Sequence, residues 1–269
     1  MLAAAVALAA TAASGTAATT CAVSGLGCPA PPEIELLPAL HVTPQALPAG
    51  KLAPVSFSGR ARVTTANGTH PSALREAVVD VDRDVVIDVD GLPACGYRRL
   101  ASRESDAARD VCRRAIIGWG TAVVELSYPE SRPIALETDV TLFNGGARGR
   151  ATRLFLHGFL PIPRPRALVA PVTLEPAPGD GGGLHATIAI PRASEGHGSL
   201  IDFALTVRGT FATADGARSS FLSARCPDGR FEVSMPKLVF KNEIGTPGVA
   251  PQTILKGSVF LPCTPKRSR

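Results

Sequence analysis

The sequence predicts an all-β, mainly antiparallel protein, either a sandwich or a curved, partly open barrel of about ten strands, with one short helix near residues 102–115. Three observations predict this class. From residue 55 onward, apolar and polar residues mostly alternate with a period of two, which is typical of strands with one buried face. Glycine (26 residues) and proline (24) are frequent, as expected where turns join many short strands. We find no alternation of helical and strand segments, which argues against a parallel α/β sheet.

The alternation is clearest in Val78–Asp90, where valines and an isoleucine occupy one face and five aspartates the other. We therefore expect one continuous strand in this segment. Val55–Thr65 precedes it and ends before the turn signal Asn67-Gly68. The other strands are expected at roughly 117–128, 134–143, 152–161, 167–175, 184–191, 200–213, 217–225, 230–240 and 252–262, and Glu33–Val42 could add one more.

Glycine-rich dipeptides and tripeptides mark the expected connections between these strands. Asn144-Gly145-Gly146 predicts a turn, the run at 179–183 predicts another, and Asp215-Gly216 predicts a hairpin. Short connections between sequential strands favour antiparallel pairing.

The helix is predicted over Ser102–Ala115, with Ser102 or Ser105 as its N-cap. Acidic residues occupy its first turn and arginines its last, which suits the helix dipole. Its apolar stripe includes Cys112, which we expect to face inward toward Cys95.

The chain divides into a signal-peptide-like segment (1–20), a Pro/Ala-rich leader (21–53), a single β domain (54–264) and a basic tail (265–269). The apolar run Leu2–Ala13 is too short to span a bilayer, no Lys or Arg precedes it, and no other segment is long enough to span one. We expect a secreted or cell-envelope protein without a transmembrane segment.

Six cysteines support export, because an even number of cysteines in an exported chain indicates disulfides. None has CxxC spacing, so zinc and thioredoxin-type sites are not predicted. Six cysteines allow 15 connectivities. We favour nearest neighbours, Cys95–Cys112 and Cys226–Cys263, with Cys21 and Cys28 either forming a third disulfide or leaving Cys21 as a lipidated residue.

Several short phrases, taken in order over roughly residues 55–264, carry a family resemblance. They are Gly91-Leu92-Pro93-Ala94-Cys95, Cys112 followed by Ala115-Ile116-Ile117-Gly118-Trp119-Gly120, Leu142-Phe143-Asn144-Gly145, Pro161-Ile162-Pro163, Ile190-Pro191, and Ser223-Ala224-Arg225-Cys226-Pro227-Asp228-Gly229. In these the chain resembles a group of uncharacterised exported β-rich proteins of high-GC soil actinobacteria. The resemblance implies export and the same two disulfides, and it implies no catalytic residue.

The motifs of the common enzyme classes are missing from the sequence. There is no P-loop, no dinucleotide fingerprint and no G-x-S-x-G elbow. Gly196-His197-Gly198-Ser199 is the nearest approach to the elbow, and we interpret it as a glycine-rich loop before a strand. We therefore assign no catalytic residue.

Metal and cofactor sites are not predicted either. The five histidines form no close pair, although His185, Glu195 and His197 could converge if strands 184–191 and 200–213 pair. The spacing of Asp80, Asp82 and Asp84 imitates the start of an EF-hand loop, but the glycine and the closing glutamate that such a loop needs are absent.

The charge pattern allows an anionic partner but not nucleic acid. A net charge of +5 is small for 269 residues. Acidic residues are absent between Val140 and Leu174, and this stretch could contact an anionic envelope component or pair with the aspartate row. The arginines concerned are Arg148, Arg150, Arg153, Arg164 and Arg166.

The function expected from these observations is non-catalytic binding of a lipid or other apolar ligand, in a cavity between a curved sheet and the helix. One alternative is a structural or interaction module with a filled core and no ligand. A second is an enzyme of unrecognised type, which would need polar side chains converging in a cleft, such as His185 or His197 beside a carboxylate.

Overall fold

The computed structural model describes residues 34–129, 131–178, 183–213, 218–246 and 249–266. Its strands are β1 (Ile34–Thr43), β2 (Ala46–Pro48), β3 (Ala53–Pro54), β4 (Ser56–Thr65), β5 (Ala73–Val81), β6 (Val85–Ile87), β7 (Ile116–Leu126), β8 (Ile134–Arg148), β9 (Ala151–Leu160), β10 (Arg166–Pro176), β11 (Leu184–Ala189), β12 (Gly198–Val207), β13 (Thr210–Ala212), β14 (Arg218–Ser220), β15 (Leu222–Ala224), β16 (Arg230–Lys241), β17 (Gln252–Pro262) and β18 (Thr264–Lys266). Its helices are α1 (Tyr97–Leu100) and α2 (Ser105–Val111), and 3₁₀ turns span Arg113–Ala115 and Ser194–Gly196.

Eleven strands form one antiparallel sheet in the order β1-β4-β12-β7-β8-β9-β10-β11-β5-β16-β17. The two end strands, β1 and β17, lie in contact, so the sheet is nearly closed into a barrel. The predicted fold class is therefore confirmed, and of its two forms the barrel is observed. Because the sheet is nearly closed, almost every strand has a hydrogen-bonded neighbour on both sides. Little strand edge is therefore left unpaired.

The barrel interior is filled by alternate side chains of its strands. Leu142, Leu154, Val172 and Val233 belong to the largest buried cluster. The small strands β2 and β15 add Leu47, Leu222 and Ala224 to the same cluster, so they extend the core of the barrel.

The helices pack on the outer face of the barrel, and the cavity expected between the curved sheet and the helix is not found in the described part of the chain. Phe143 and Phe155 contact the helical segment, and each adjoins a leucine that points into the interior. Because side chains alternate along a strand, these phenylalanines lie on the opposite face. Leu100 and Ala108 are fully buried against them, so side chains fill the space where an apolar cavity was expected.

The helical segment is also shorter and more divided than predicted. α1 precedes the predicted start, and residues 113–115 form a 3₁₀ turn. The N-cap position of α2 is Glu104, not Ser102 or Ser105, and its side chain makes no capping hydrogen bond. The Cys95–Cys112 disulfide ties the start of this segment to its end.

The prediction of one strand over Val78–Asp90 is wrong, because a turn divides it into β5 and β6. The Asp82 carboxylate accepts a hydrogen bond from the Asp84 backbone N–H at 2.9 Å, and the Asp82 carbonyl accepts one from Val85. Asp84 is only 3% exposed and binds Arg225 through its carboxylate at 2.7 Å. An aspartate side chain that hydrogen-bonds the nearby backbone favours a turn over a strand. The alternation of apolar and polar residues does not predict such a turn.

The turn predicted at Asn144-Gly145-Gly146 is also wrong, because β8 continues through these residues with a bulge. The buried Asn144 amide donates to the carbonyls of Leu92 and Pro93 and accepts a hydrogen bond from the Gly146 backbone. The chain reverses at Gly149-Arg150 instead, where Gly149 has a φ of 63°.

Residues 34–53 belong to the fold, although they lie before the expected domain boundary at residue 54. β1 pairs with β4 along its whole length, and β2 pairs in parallel with β18, which includes the start of the expected tail. The hairpin expected at Asp215-Gly216 is observed as the β13–β14 pair, with the turn itself outside the described residues.

Both central disulfide predictions are confirmed. Cys95 bonds Cys112, and Cys226 bonds Cys263. Cys21, Cys28 and the signal-like segment lie outside the described residues. Within the described part of the chain, no helix is both long enough and apolar enough to cross a membrane.

Candidate functional site

A pocket of about 220 Å³ lies between the helical segment and the β13–β14 hairpin. Three arginines, Arg113, Arg114 and Arg208, line it together with hydroxyl and apolar side chains. We refer to it below as the arginine pocket. Its other lining residues are Ile116, Ile117, Thr210, Phe211, Ala212, Thr213 and Phe221.

The fold fixes the backbone positions of the three arginines. Arg113 and Arg114 form the 3₁₀ turn directly after Cys112, whose disulfide anchors that turn. Arg208 follows the last residue of β12, and its backbone N–H donates to the carbonyl of Ile117 at 2.8 Å. The pocket therefore has a fixed frame that carries long, exposed arginine side chains.

Acidic side chains of the described residues neutralise little of the positive charge at the pocket. Arg113 pairs with Asp110 at 2.9 Å, but both side chains are about three-quarters exposed, so this pair contributes little. The Arg208 guanidinium lies 4.5 Å from the centre of the Trp119 ring, a cation–π contact that orients it without neutralising it. Arg114 has no ion-pair or hydrogen-bond partner among the described residues.

The floor of the pocket is apolar. Ile117 and Phe221 are each 1% exposed, and Phe211 is partly buried beside them. None of the described residues that line the pocket is acidic. Cationic groups above an apolar floor suit a ligand that carries an anionic group and a short apolar portion.

The predicted arginine stretch does not form one patch. Arg148, Arg150 and Arg153 lie at one end of β9, and Arg164 and Arg166 lie beyond the other end. The strand has 10 residues. At a rise of about 3.3 Å per residue, the two groups are about 30 Å apart. Arg164 pairs with Glu195 at 3.5 Å, and no pair between these arginines and the aspartate row is found in the described ranges.

The histidines singled out by the sequence are held separately. His185 contacts Asp80 through Nδ1 at 2.6 Å, and the His197 ring packs on Tyr128 with its Nδ1 donating to the Ser127 carbonyl at 2.9 Å. Glu195 is exposed and pairs with Arg164 instead. The three residues do not converge, and no metal-ligand cluster is found among the residues that the structure describes.

A second polar cluster lies on the outer face of the barrel near the start of β12, at the end remote from the arginine pocket. It was not predicted from the sequence. Ser199 pairs across the ladder with Glu125 of β7, and His70 lies between them. His70 Nε2 is 3.0 Å from Ser199 Oγ, and His70 Nδ1 is 2.7 Å from Glu125 Oε1. The Gly-His-Gly-Ser sequence pointed to the serine, but His70 is 129 residues away and no local pattern indicates it.

Comparisons of this chain with protein-family models, with curated proteins and with solved structures find no match.

Proposed function

We propose that this chain is an exported binding protein whose ligand carries a phosphate or carboxylate, held in the arginine pocket. The observation that supports this most is the convergence of Arg113, Arg114 and Arg208 in one pocket, with no carboxylate among its lining residues that the structure describes. Arginine is well suited to such groups because its planar fork of N–H donors matches both of their oxygens. The two disulfides support an oxidising, extracytoplasmic location.

The ligand class follows from the contrast between the pocket and the barrel interior. The interior core and the helix–sheet contact are filled by side chains, so they favour neither a lipid chain within the barrel nor one beneath the helices. The arginine pocket has room for a headgroup and a short chain over Phe211. We therefore place the anionic group among the guanidiniums and the apolar portion on the floor of the pocket.

Calorimetric titration with hexyl phosphate, at about 0.1 M salt to limit non-specific attraction, tests this proposal. We expect saturable binding, and we expect Arg114→Gln and Arg208→Gln each to raise Kd about tenfold, because a hydrogen bond to a charged group contributes about 1.5–3 kcal/mol. Inorganic phosphate should bind more weakly because it lacks the apolar portion.

Arg148→Gln and Arg166→Gln are the matched controls, since each removes the same charge outside the pocket. They should leave Kd within about twofold of the original value, because exposed charges that far away are screened. An equal loss of affinity in all four variants would assign the effect to net charge and contradict the proposal. So would the absence of saturable binding to the unaltered protein.

A further inference from the structure

Ser199, His70 and Glu125 form a continuous chain of hydrogen bonds on the outer face of the barrel. The Glu125 carboxylate can only accept, so Nδ1 of His70 carries the proton that joins them. His70 Nε2 then has a lone pair directed at Ser199 Oγ in the neutral ring. This is the order of nucleophile, base and orienting acid that activates a serine hydroxyl in hydrolases.

Rigid elements hold each of the three residues. Ser199 and Glu125 lie opposite each other in the β12–β7 ladder, which fixes their spacing. His70 is followed by Pro71, whose carbonyl lies 2.7 Å from Ser199 Oγ and accepts its hydroxyl when the proton is not directed to His70. Thr65 Oγ1 donates to the Thr69 carbonyl and closes the turn before His70. The geometry therefore does not depend on a long exposed side chain.

We propose that Ser199 is a nucleophile, with His70 as its general base and Glu125 as the positioning carboxylate, in the hydrolysis of small acyl esters. Ser199 Oγ forms a bond to the acyl carbon as its proton passes to His70 Nε2. The carbon–oxygen bond of the ester then breaks, and the leaving alcohol takes that proton. Water repeats the sequence on the acyl-serine, which releases the carboxylic acid and restores the hydroxyl.

The surroundings of Ser199 limit the size of the acyl group. Ser199 is 2% exposed, and the cleft that reaches it holds about 10 Å³. One wall is Glu243, 9% exposed at its side chain and bonded to Arg75 Nε at 2.9 Å. Gly196 of the 194–196 turn also lines the cleft and lies against Glu243, and Ser194 and Glu195 of this turn have φ values of 47° and 58°. A volume of about 10 Å³ is the space of a single water, so an ester reaches Ser199 only if this strained turn moves.

Covalent labelling of the folded protein with a small fluorophosphonate tests the proposal, because this reagent phosphonylates an activated serine and releases fluoride. We expect one adduct per chain, assigned to Ser199 by peptide mass spectrometry and absent from Ser199→Ala. His70→Gln should slow labelling about 100-fold, the lower range for loss of a general base. 4-Nitrophenyl acetate should be hydrolysed faster than 4-nitrophenyl octanoate, and Ser199→Ala should hydrolyse neither above background.

Ser258→Ala, an exposed position on β17 remote from the cluster, is the matched serine control and should label at the original rate. Urea midpoints of all variants separate a loss of reactivity from a loss of folding. The proposal would be overturned if folded protein carried no adduct on Ser199, or if His70→Gln were labelled as fast as the unaltered protein. The cluster would then have only a structural role. The labelling result is independent of hexyl phosphate binding, since Arg208 lies nine residues along β12 from Ser199, about 30 Å.

Discussion

The protonation of His157 is coupled to the fold by the burial of its ring. His157 is 1% exposed on the outer face of β9, where Nε2 donates to the Arg103 carbonyl at 3.0 Å and Nδ1 has no partner in the described chain. Burial lowers the pKa of His157 below its ordinary value of 6.5. The folded protein therefore keeps this ring neutral at pH values where the unfolded chain protonates it.

We expect the free energy of unfolding to fall as the pH drops below about 6.5, because the unfolded chain then binds a proton that the folded chain excludes. His157→Gln retains a donor toward Arg103 and removes the titration. Urea unfolding at about pH 7.5 and about pH 5 should therefore show a smaller pH-dependent loss in this variant than in the unaltered protein.

His41→Gln, on the exposed face of β1, controls for the loss of an ordinary histidine and should keep the original pH dependence. The chosen range avoids Asp202, where hydrogen bonds from Arg60 hold the carboxyl pKa below its ordinary value of 3.8. The stability that Asp202 contributes is complete above that value and is lost only as the pH falls through the lower pKa of the folded state. An unchanged pH dependence in His157→Gln would contradict the assigned role.

At the scale of single elements, the strands were predictable and the turns were less so. Period-two alternation located most barrel strands to within a few residues, because one face of each strand is buried. The errors came from polar side chains that bond the backbone locally. The Asp82 side chain stabilises a turn inside a segment that the alternation predicts as one strand. Asn144 stabilises a bulge, although the glycines that follow it predict a turn.

Two glycines of β7 are required by the close approach of β12. The alternation of apolar and polar residues did not predict this requirement. A Cβ on Gly120 would lie 1.8 Å from the Ala204 carbonyl oxygen, and one on Gly118 would lie 2.6 Å from that of Thr206. Both contacts are with the backbone of β12, which cannot move aside without breaking the ladder. The two strands therefore approach each other closely because β7 lacks these side chains.

Gly120→Ala should accordingly lower the free energy of unfolding by about 3 kcal/mol, the upper range for overpacking, and should do so by separating β7 from β12. Urea unfolding measures the loss, and hydrogen exchange of the β7 and β12 amides should show where it occurs. Gly96→Ala is the control, since a Cβ there meets nothing within 4 Å. Equal stability of the two variants would contradict this account of the strand pair.

At the scale of the whole molecule, neither candidate site was predictable, because each depends on the pairing of β12 with β7, which are far apart in sequence. The arginine pocket joins residues 113–114 to residues 208–213, and the serine cluster joins residue 70 to residues 125 and 199. Contacts across such separations depend on strand order, and strand order is not encoded in local alternation. The separation of the arginines between residues 148 and 166 into two groups has a local cause instead, since they lie at opposite ends of the single strand β9.

The two confirmed disulfides act on different parts of this assembly. Cys95–Cys112 closes 17 residues around the helical segment, whereas Cys226–Cys263 closes 37 residues and joins the ends of the β16–β17 hairpin inside the main core. Chain entropy predicts a stabilisation of about 3 kcal/mol for the shorter loop and about 4 kcal/mol for the longer one. The longer one also fixes the last strand pair of the barrel, where the sheet must meet β1.

We therefore expect the double variant Cys226→Ala/Cys263→Ala to lose more stability than Cys95→Ala/Cys112→Ala, measured by urea midpoint under oxidising conditions. Adding a reductant should bring the unaltered protein below both variants, because it opens both loops at once. A reductant should lower the urea midpoint of each variant further, which serves as the internal control for the disulfide that the variant retains. If the helical-segment variant proved the less stable of the two, closure of the barrel would depend on the outer helices more than on the β16–β17 hairpin, contrary to the topology.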